Sequence, residues 1–224
     1  VENVQRDLNI ALVNELAMAF HSMDLDIDTR AVLEASATKW NFHYYRPGLV
    51  GGHCIPVDPY FLVHRSKQDG FVPQLVEQAR EVNEEMPEHV ADMTIKALNR
   101  AGKPLRDSRV LLLGLTYKPD VADIRTSKVD GIVAGLREFD VEVVGHDPHG
   151  DDDAMRSTFG IDVQADVSFD DFDGVVLATP HSEFYDLDLD GAADAMADDP
   201  ALVDVAGALD PDAVDDAGFT YRRV

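Results

Sequence analysis

The sequence predicts two architectures in series, a helical domain over residues 1–102 and a doubly wound parallel-sheet α/β domain over residues 103–224. Three observations predict it. Apolar residues recur at helical spacing from Val4 to Leu98. From Val110 onward, short continuous apolar runs typical of buried parallel strands alternate with helical stretches. The two regimes meet in Gly102–Arg106, where glycine, proline and charge break both patterns.

Element by element, Val4, Leu8, Leu12 and Ala19 share one helical spacing, and Ile10, Val13, Ala17 and Phe20 share another. The first helix is therefore expected to be buried on two sides. No cap precedes Val1, so the helix reads as cut at its start and the chain as a fragment of something longer. Asp28 and Thr29 read as caps for a short helix through Ala37. Residues 41–59 form an irregular stretch rich in aromatics, glycine and proline, and such loops are usually functional. A helix from Pro73 carries Leu75, Val76, Ala79 and Val82; Pro87 is expected to kink or restart it, and Gly102 to end it. Strands are expected at 110–114, 141–145, 175–179 and 202–205, an edge strand at 219–222, and a helix at 129–136.

Composition narrows the function classes. Asp and Glu total 43 against 19 Lys and Arg, a net charge of −24, which argues against nucleic acid as a partner. A charge density of this sign suggests a protein kept soluble in a salt-filled cytoplasm, that is, a halophilic one; the alternative is an ordinary acidic protein. No apolar run reaches membrane-spanning length. Residues 1–20 lack the basic start and apolar centre of a signal peptide, so a cytoplasmic location is expected. One cysteine excludes an internal disulfide or a multi-cysteine zinc site.

That cysteine lies in the segment most loaded with chemistry, PGLVGGHCIPVDP, residues 47–59. Gly51 and Gly52 permit unusual backbone angles and close approach of a ligand. Cys54 is either a small buried hydrophobe or a nucleophile activated by a neighbour, with His53 and Asp58 as candidates. A metal site of His53, Cys54 and Asp58 is not expected, because adjacent residues rarely ligate one ion. Asn3, Asp7 and Asn14 fall on one stripe of the first helix, as reactive groups or as satisfied polar groups between packed helices.

The loop GGHCIPVDPYF resembles the catalytic loop of the UDP-glucose/GDP-mannose dehydrogenase family, above all its branch oxidising UDP-N-acetylhexosamines such as UDP-N-acetyl-mannosamine. ENVQRDLNIALVNELA (2–17), QAREVNEEMPEHV (78–90), LLGLTYKPDVADIRTS (112–127), GHDPH (145–149) and GFTYRRV (218–224) match the family in the same order. The resemblance implies a helical central domain that forms a homodimer, followed by a Rossmann-like UDP-binding domain. It implies NAD-dependent, four-electron oxidation of a UDP-sugar C6 alcohol to a uronic acid, through a cysteine thiohemiacetal and thioester. On this basis Cys54 is the nucleophile, Asp58 positions or activates water, and Asn3 stabilises the oxyanion. Gly51, Gly52 and His53 line the substrate, while Tyr117 and Lys118 contact uridine and phosphates. Asp123 and Arg125 read as a structural turn pair. The glycine fingerprint for NAD is missing, so the cofactor is assigned to a domain absent from this chain. The family arginine two residues after Asp204 is Ala206 here, which puts substrate affinity in doubt; Arg222 or Arg223 are the candidates to replace it. Two other readings stand beside this one: a non-catalytic remnant that dimerises and binds UDP, and an unrelated cysteine hydrolase pairing Cys54 with His181.

Overall fold

Helix α1 (Glu2–Ser22) buries one face, not two. The computed structural model describes residues 1–23 and 27–224, and contacts divide them into two units, residues 1–86 with Val224 and residues 87–223. In the first unit the buried stripe of α1 is Asp7, Ala11, Val13, Asn14 and Ala17, while Leu12 is 55% exposed and Val4 and Leu8 are half-buried. The expected second buried face is thus open within this chain. The polar stripe is the one that goes in because α4 offers it matching charge and amide groups, set out below.

Asp28 caps α2 (Thr29–Ala37), accepting the amides of Arg30 and Ala31, as its sequence predicts. Helix α3 (Asp58–Gln68) has no periodic apolar signal, since its large residues Tyr60, Phe61 and Leu62 are consecutive and exposed. Its start is set by Pro59, whose fixed φ and missing N–H suit a first helical turn.

Helix α4 (Gln74–Arg100) continues through Pro87, so the helix does not restart there. Proline costs one ladder bond there, but packing beyond it holds the helix. A Cβ placed on Gly131 or Gly135 of α5 (Val129–Arg137) would come within 2.6 Å of Pro87 or Ala91. Glycine on α5 lets the two helices approach closely, and this is why the division of contacts falls at Met86/Pro87, inside α4.

The second unit is the expected doubly wound sheet. Its strands β1 (Arg109–Leu113), β2 (Glu142–His146), β3 (Asp162–Val163), β4 (Gly174–Leu177), β5 (Ala201–Asp204) and β6 (Thr220–Arg223) are all parallel, in the order β3-β2-β1-β4-β5-β6. Strand β3 and helices α6 (Asp152–Phe159), α7 (Leu189–Ala195) and α8 (Pro211–Asp216) join the predicted elements. Leu111, Leu113, Val175, Leu177 and Leu202 pack with Phe172, Phe184, Val214 and Phe219 into one core layer. The chain reverses its direction of growth between β1 and β4, so a crevice opens at the carboxyl ends of these strands, the usual ligand position in such sheets. Among the described residues, no helix is long and apolar enough to cross a membrane.

Candidate functional site

In the helical unit the cysteine loop feeds directly into α3. Gly52 is buried at φ +94°, a left-handed conformation that a side chain would strain. His53 and Cys54 are exposed, Gly51 half-buried. The Cys54 carbonyl accepts the amides of Val57 (3.2 Å) and Asp58 (2.9 Å), so a single turn joins Cys54 to the start of α3 at Asp58. Asn3, reaching from α1, donates Nδ2–H to Asp58 Oδ2 at 2.7 Å. Two of the three predicted catalytic residues are thereby joined, one turn from the third. Asp58 also lies in the wall of a cleft of about 440 Å³ between α1 and α3, with Val1, Val4, Leu8, Phe61 and Leu62.

A buried network stands behind this loop. Asn14 holds the Gly48 backbone at both ends, accepting its N–H (2.7 Å) and donating to its carbonyl (3.1 Å). Asn14 also donates to Asn83 Oδ1 (2.8 Å), and Asn83 Nδ2 donates to Asp7 Oδ1 (2.8 Å) and to the Asp7 carbonyl (3.1 Å). Arg80 Nη1 donates to the same Asp7 oxygen at 2.5 Å, its other amino group pairs with Glu84, and its guanidinium lies 5.6 Å from the Tyr60 ring centroid. Burial by itself opposes the Arg80 charge, yet Asp7, then Glu84 and Tyr60, outweigh it and raise its pKa further. Asp7 and Asn14 are therefore packing groups rather than reactive ones. Sequence reasoning missed Arg80 and Asn83. The signal was present: they sit four and seven residues after Val76, on the same helical face as buried Ala79 and Met86.

In the α/β unit, Tyr117 and Lys118 lie on the segment leaving β1, with Lys118 exposed and its Nζ 5.4 Å from the Tyr117 ring centroid. The segment is fastened by two residues from neighbouring strand ends. Asp147, just after β2, accepts the amides of Leu115 (2.6 Å) and Thr116 (3.0 Å) on Oδ2, and those of His149 and Gly150 (both 2.9 Å) on Oδ1. His181, buried beyond β4, bonds Asp147 Oδ2 through Nε2 at 2.9 Å, while its Nδ1 accepts the Asp120 amide at 2.9 Å. That pattern puts the ring proton on Nε2. Burial alone would raise the Asp147 pKa, but the hydrogen bond from His181 and the backbone amides of His149 and Thr116 hold its carboxyl well below the usual range. With both ring nitrogens engaged, His181 is not a free base for a cysteine hydrolase. Asp123 and Arg125 form the expected turn pair, bidentate at 3.0 Å.

The segment does not fit NAD. Its Leu115 and Thr116 amides, placed to meet a pyrophosphate in a dinucleotide site, are consumed by Asp147. Gly114 serves close packing instead: at φ +80° a Cβ would lie 2.1 Å from the Thr179 carbonyl oxygen. No helix begins there either, since α5 starts at Val129. Arg222, one candidate to replace an arginine at Ala206, donates Nη1–H to the Tyr221 carbonyl at 3.2 Å.

Fold and residues together define a chain of two parts, a helical unit bearing a cysteine loop and a doubly wound unit with an exposed lysine on the segment leaving β1. The central-domain model of the UDP-glucose/GDP-mannose dehydrogenase family matches residues 1–85, and that family's UDP-binding-domain model matches residues 111–211. The chain belongs to this family. It is 42% identical over 216 residues, 96% of its length, to a UDP-N-acetyl-D-glucosamine 6-dehydrogenase of Pseudomonas aeruginosa, and covers 50% of that protein. It is 30% identical to a UDP-N-acetyl-D-mannosamine dehydrogenase of Methanococcus aeolicus, covering 99% of this chain and 48% of the relative. A crystal structure of an NDP-N-acetyl-D-galactosaminuronic acid dehydrogenase from Methanosarcina mazei Go1 superposes with a TM-score of 0.88 at 27% identity, over 100% of this chain and 49% of that one. The chain thus spans about half the length of the relatives it matches.

Proposed function

We propose that this chain is the substrate-side half of an NAD-dependent UDP-sugar 6-dehydrogenase, acting on a UDP-N-acetylhexosamine. The contact of Asn3 with Asp58, one turn after Cys54, carries the reading. The exposed Cys54 thiol is the nucleophile for the aldehyde-level carbon. Asp58 holds water for hydrolysis of the resulting thioester, and the Asn3 amide supplies a hydrogen-bond donor for the oxyanion. Gly51, Gly52 and His53 form the wall beside the sugar. Lys118 binds phosphate as a point charge and Tyr117 packs on the uridine. NAD belongs to residues outside this chain, so the chain with substrate and NAD alone should make no NADH. Because the glucosamine relative is the more similar of the two named above, UDP-N-acetyl-glucosamine heads the substrate order and UDP-N-acetyl-mannosamine follows.

The test is a melting series in molar KCl with UDP, UDP-glucose, UDP-N-acetyl-glucosamine and UDP-N-acetyl-mannosamine. A ligand of the folded state raises the melting temperature; UDP should do so, one N-acetylhexosamine nucleotide should do so further, and Lys118→Ala should remove both shifts. Absence of any shift would favour a second reading, a non-catalytic remnant, for which Ala206 speaks. We further propose that the molecule works in a salt-rich cytoplasm, its melting temperature rising with KCl as the −24 charge is screened. The exposed Leu12, Phe61 and Leu75 support a homodimer through the central helices, which sedimentation at several concentrations would detect.

A further inference from the structure

The segment carrying Tyr117 and Lys118 is tied at both ends to neighbouring strand ends. Lys118 is exposed, and Tyr117 bonds through its backbone to the Asp123 carbonyl at 3.1 Å. Asp147 takes the Leu115 and Thr116 amides at one end, and His181 Nδ1 takes the Asp120 amide at the other. Between them, Thr179 Oγ1 donates to the Thr116 carbonyl at 2.7 Å and Thr116 Oγ1 donates to the Lys118 carbonyl at 3.2 Å. Ser182 adds a second tie from the His181 side, its N–H (2.8 Å) and Oγ–H (3.1 Å) donating to Asp120 Oδ1. His181 and Asp147 are themselves bonded and fully buried.

The same region has the spacing of a metal site, since Asp120, His149 and His181 offer ligand atoms within 4.8 Å of one another. The hydrogen bonds decide against it. Metal ligation needs a free imidazole lone pair, but the Nδ1 lone pair of His181 already faces the Asp120 amide and its Nε2 proton faces Asp147. Recruiting His181 to a metal would tear out the tie that holds the segment.

We propose that His181 and Asp147 are positioning residues that clamp residues 115–120 in a ligand-ready shape and so set the affinity of this unit for a nucleoside diphosphate. The affinity part rests on the UDP-binding reading above; the clamp does not. Ordering a six-residue segment in advance removes entropy that binding would otherwise have to supply. Losing the clamp should therefore weaken UDP by about tenfold, without removing Lys118 or Tyr117 from the protein.

The experiment compares wild type, His181→Ala and a control, Val133→Ala, whose buried side chain lies on α5. Amide hydrogen exchange at Thr116 and Asp120 is read together with UDP affinity by calorimetry, in molar KCl. The proposal expects His181→Ala to lose protection at Asp120 and to bind UDP about tenfold more weakly, and Val133→Ala, though also destabilised, to change neither. Unchanged protection in His181→Ala overturns the clamp. Lost protection with unchanged UDP affinity overturns its link to binding. If wild type does not bind UDP at all, the nucleotide reading fails, and the exchange result alone supports or overturns the clamp. Zinc that raises the melting temperature of wild type but not of His181→Ala would make His181 a ligand and overturn the proposal.

Discussion

Asp7 in the helical unit is met by side chains, Arg80 and Asn83, whereas Asp147 in the α/β unit is met by four backbone amides and the ring of His181. Both are buried charges. On Asp7 the Arg80 and Asn83 side chains converge on Oδ1, leaving Oδ2, like Arg80 Nε, with no bond among the described residues. On Asp147 both oxygens are filled. The difference teaches where a charge is replaceable. Side-chain partners can be exchanged along with the charge, but amides cannot, because every residue type except proline brings one.

This contrast can be broken by mutation. Arg80→Met leaves the buried Asp7 carboxylate without its cation, held only by Asn83, and Asp147→Asn turns an NH₂ toward amide donors; each should cost roughly 3–5 kcal/mol, read from denaturant unfolding in molar KCl. The double change Asp7→Leu/Arg80→Met should recover most of the first loss, as apolar replacement of buried pairs often does. Asp147→Leu/His181→Leu should recover none of the second. Recovery in both units would show that the amides around Asp147 are satisfied by water and would erase the distinction.

A smaller effect is expected at Gly114, where the required φ and the Thr179 carbonyl leave no room for a methyl group. Gly114→Ala should cost about 2 kcal/mol or more, measured the same way, and a neutral result would mean that β1 and β4 can separate there. Asn14→Ala removes both bonds to Gly48, and about 1–2 kcal/mol with them. It should also change the rate at which iodoacetamide alkylates Cys54; an unaltered rate would uncouple this network from the cysteine loop. The gentlest probe is acid. The folded carboxyl of Asp147 titrates below its unfolded value, so its stabilisation is complete above about pH 4 and is lost as pH falls further. Wild type should show this acid limb, and Asp147→Asn should flatten it.

Much of the frame was legible because it is periodic. The alternation of apolar runs and helices from Val110 onward announced the doubly wound sheet, and Asp28 announced its helix. Strand β3 has two residues, too few to carry a pattern, and α3 exposes the residues that would have marked it. The stripe of Asn3, Asp7 and Asn14 was visible on α1, but its division into one group facing Asp58 and two facing α4 depends on partners 55 to 76 residues away. Asp147 was equally hidden. Within GHDPH it looks like any turn aspartate, and its weight comes from amides more than thirty positions earlier. At Pro87 the restart that the local rule allows does not occur, because glycines on a helix the rule does not see pack against that turn.

The sheet's borders bear on how such a chain behaves when crowded. An open parallel edge is a template on which another molecule can add a strand. One border here is β3, only two residues long, and the other is β6, which ends in Arg222 and Arg223. A two-residue edge offers almost no ladder to extend, and adjacent arginines repel a second copy of themselves laid alongside in register. The molecule therefore guards both margins against edge-to-edge growth, at one by brevity, which salt does not touch, and at the other by like charge, which weakens as salt rises.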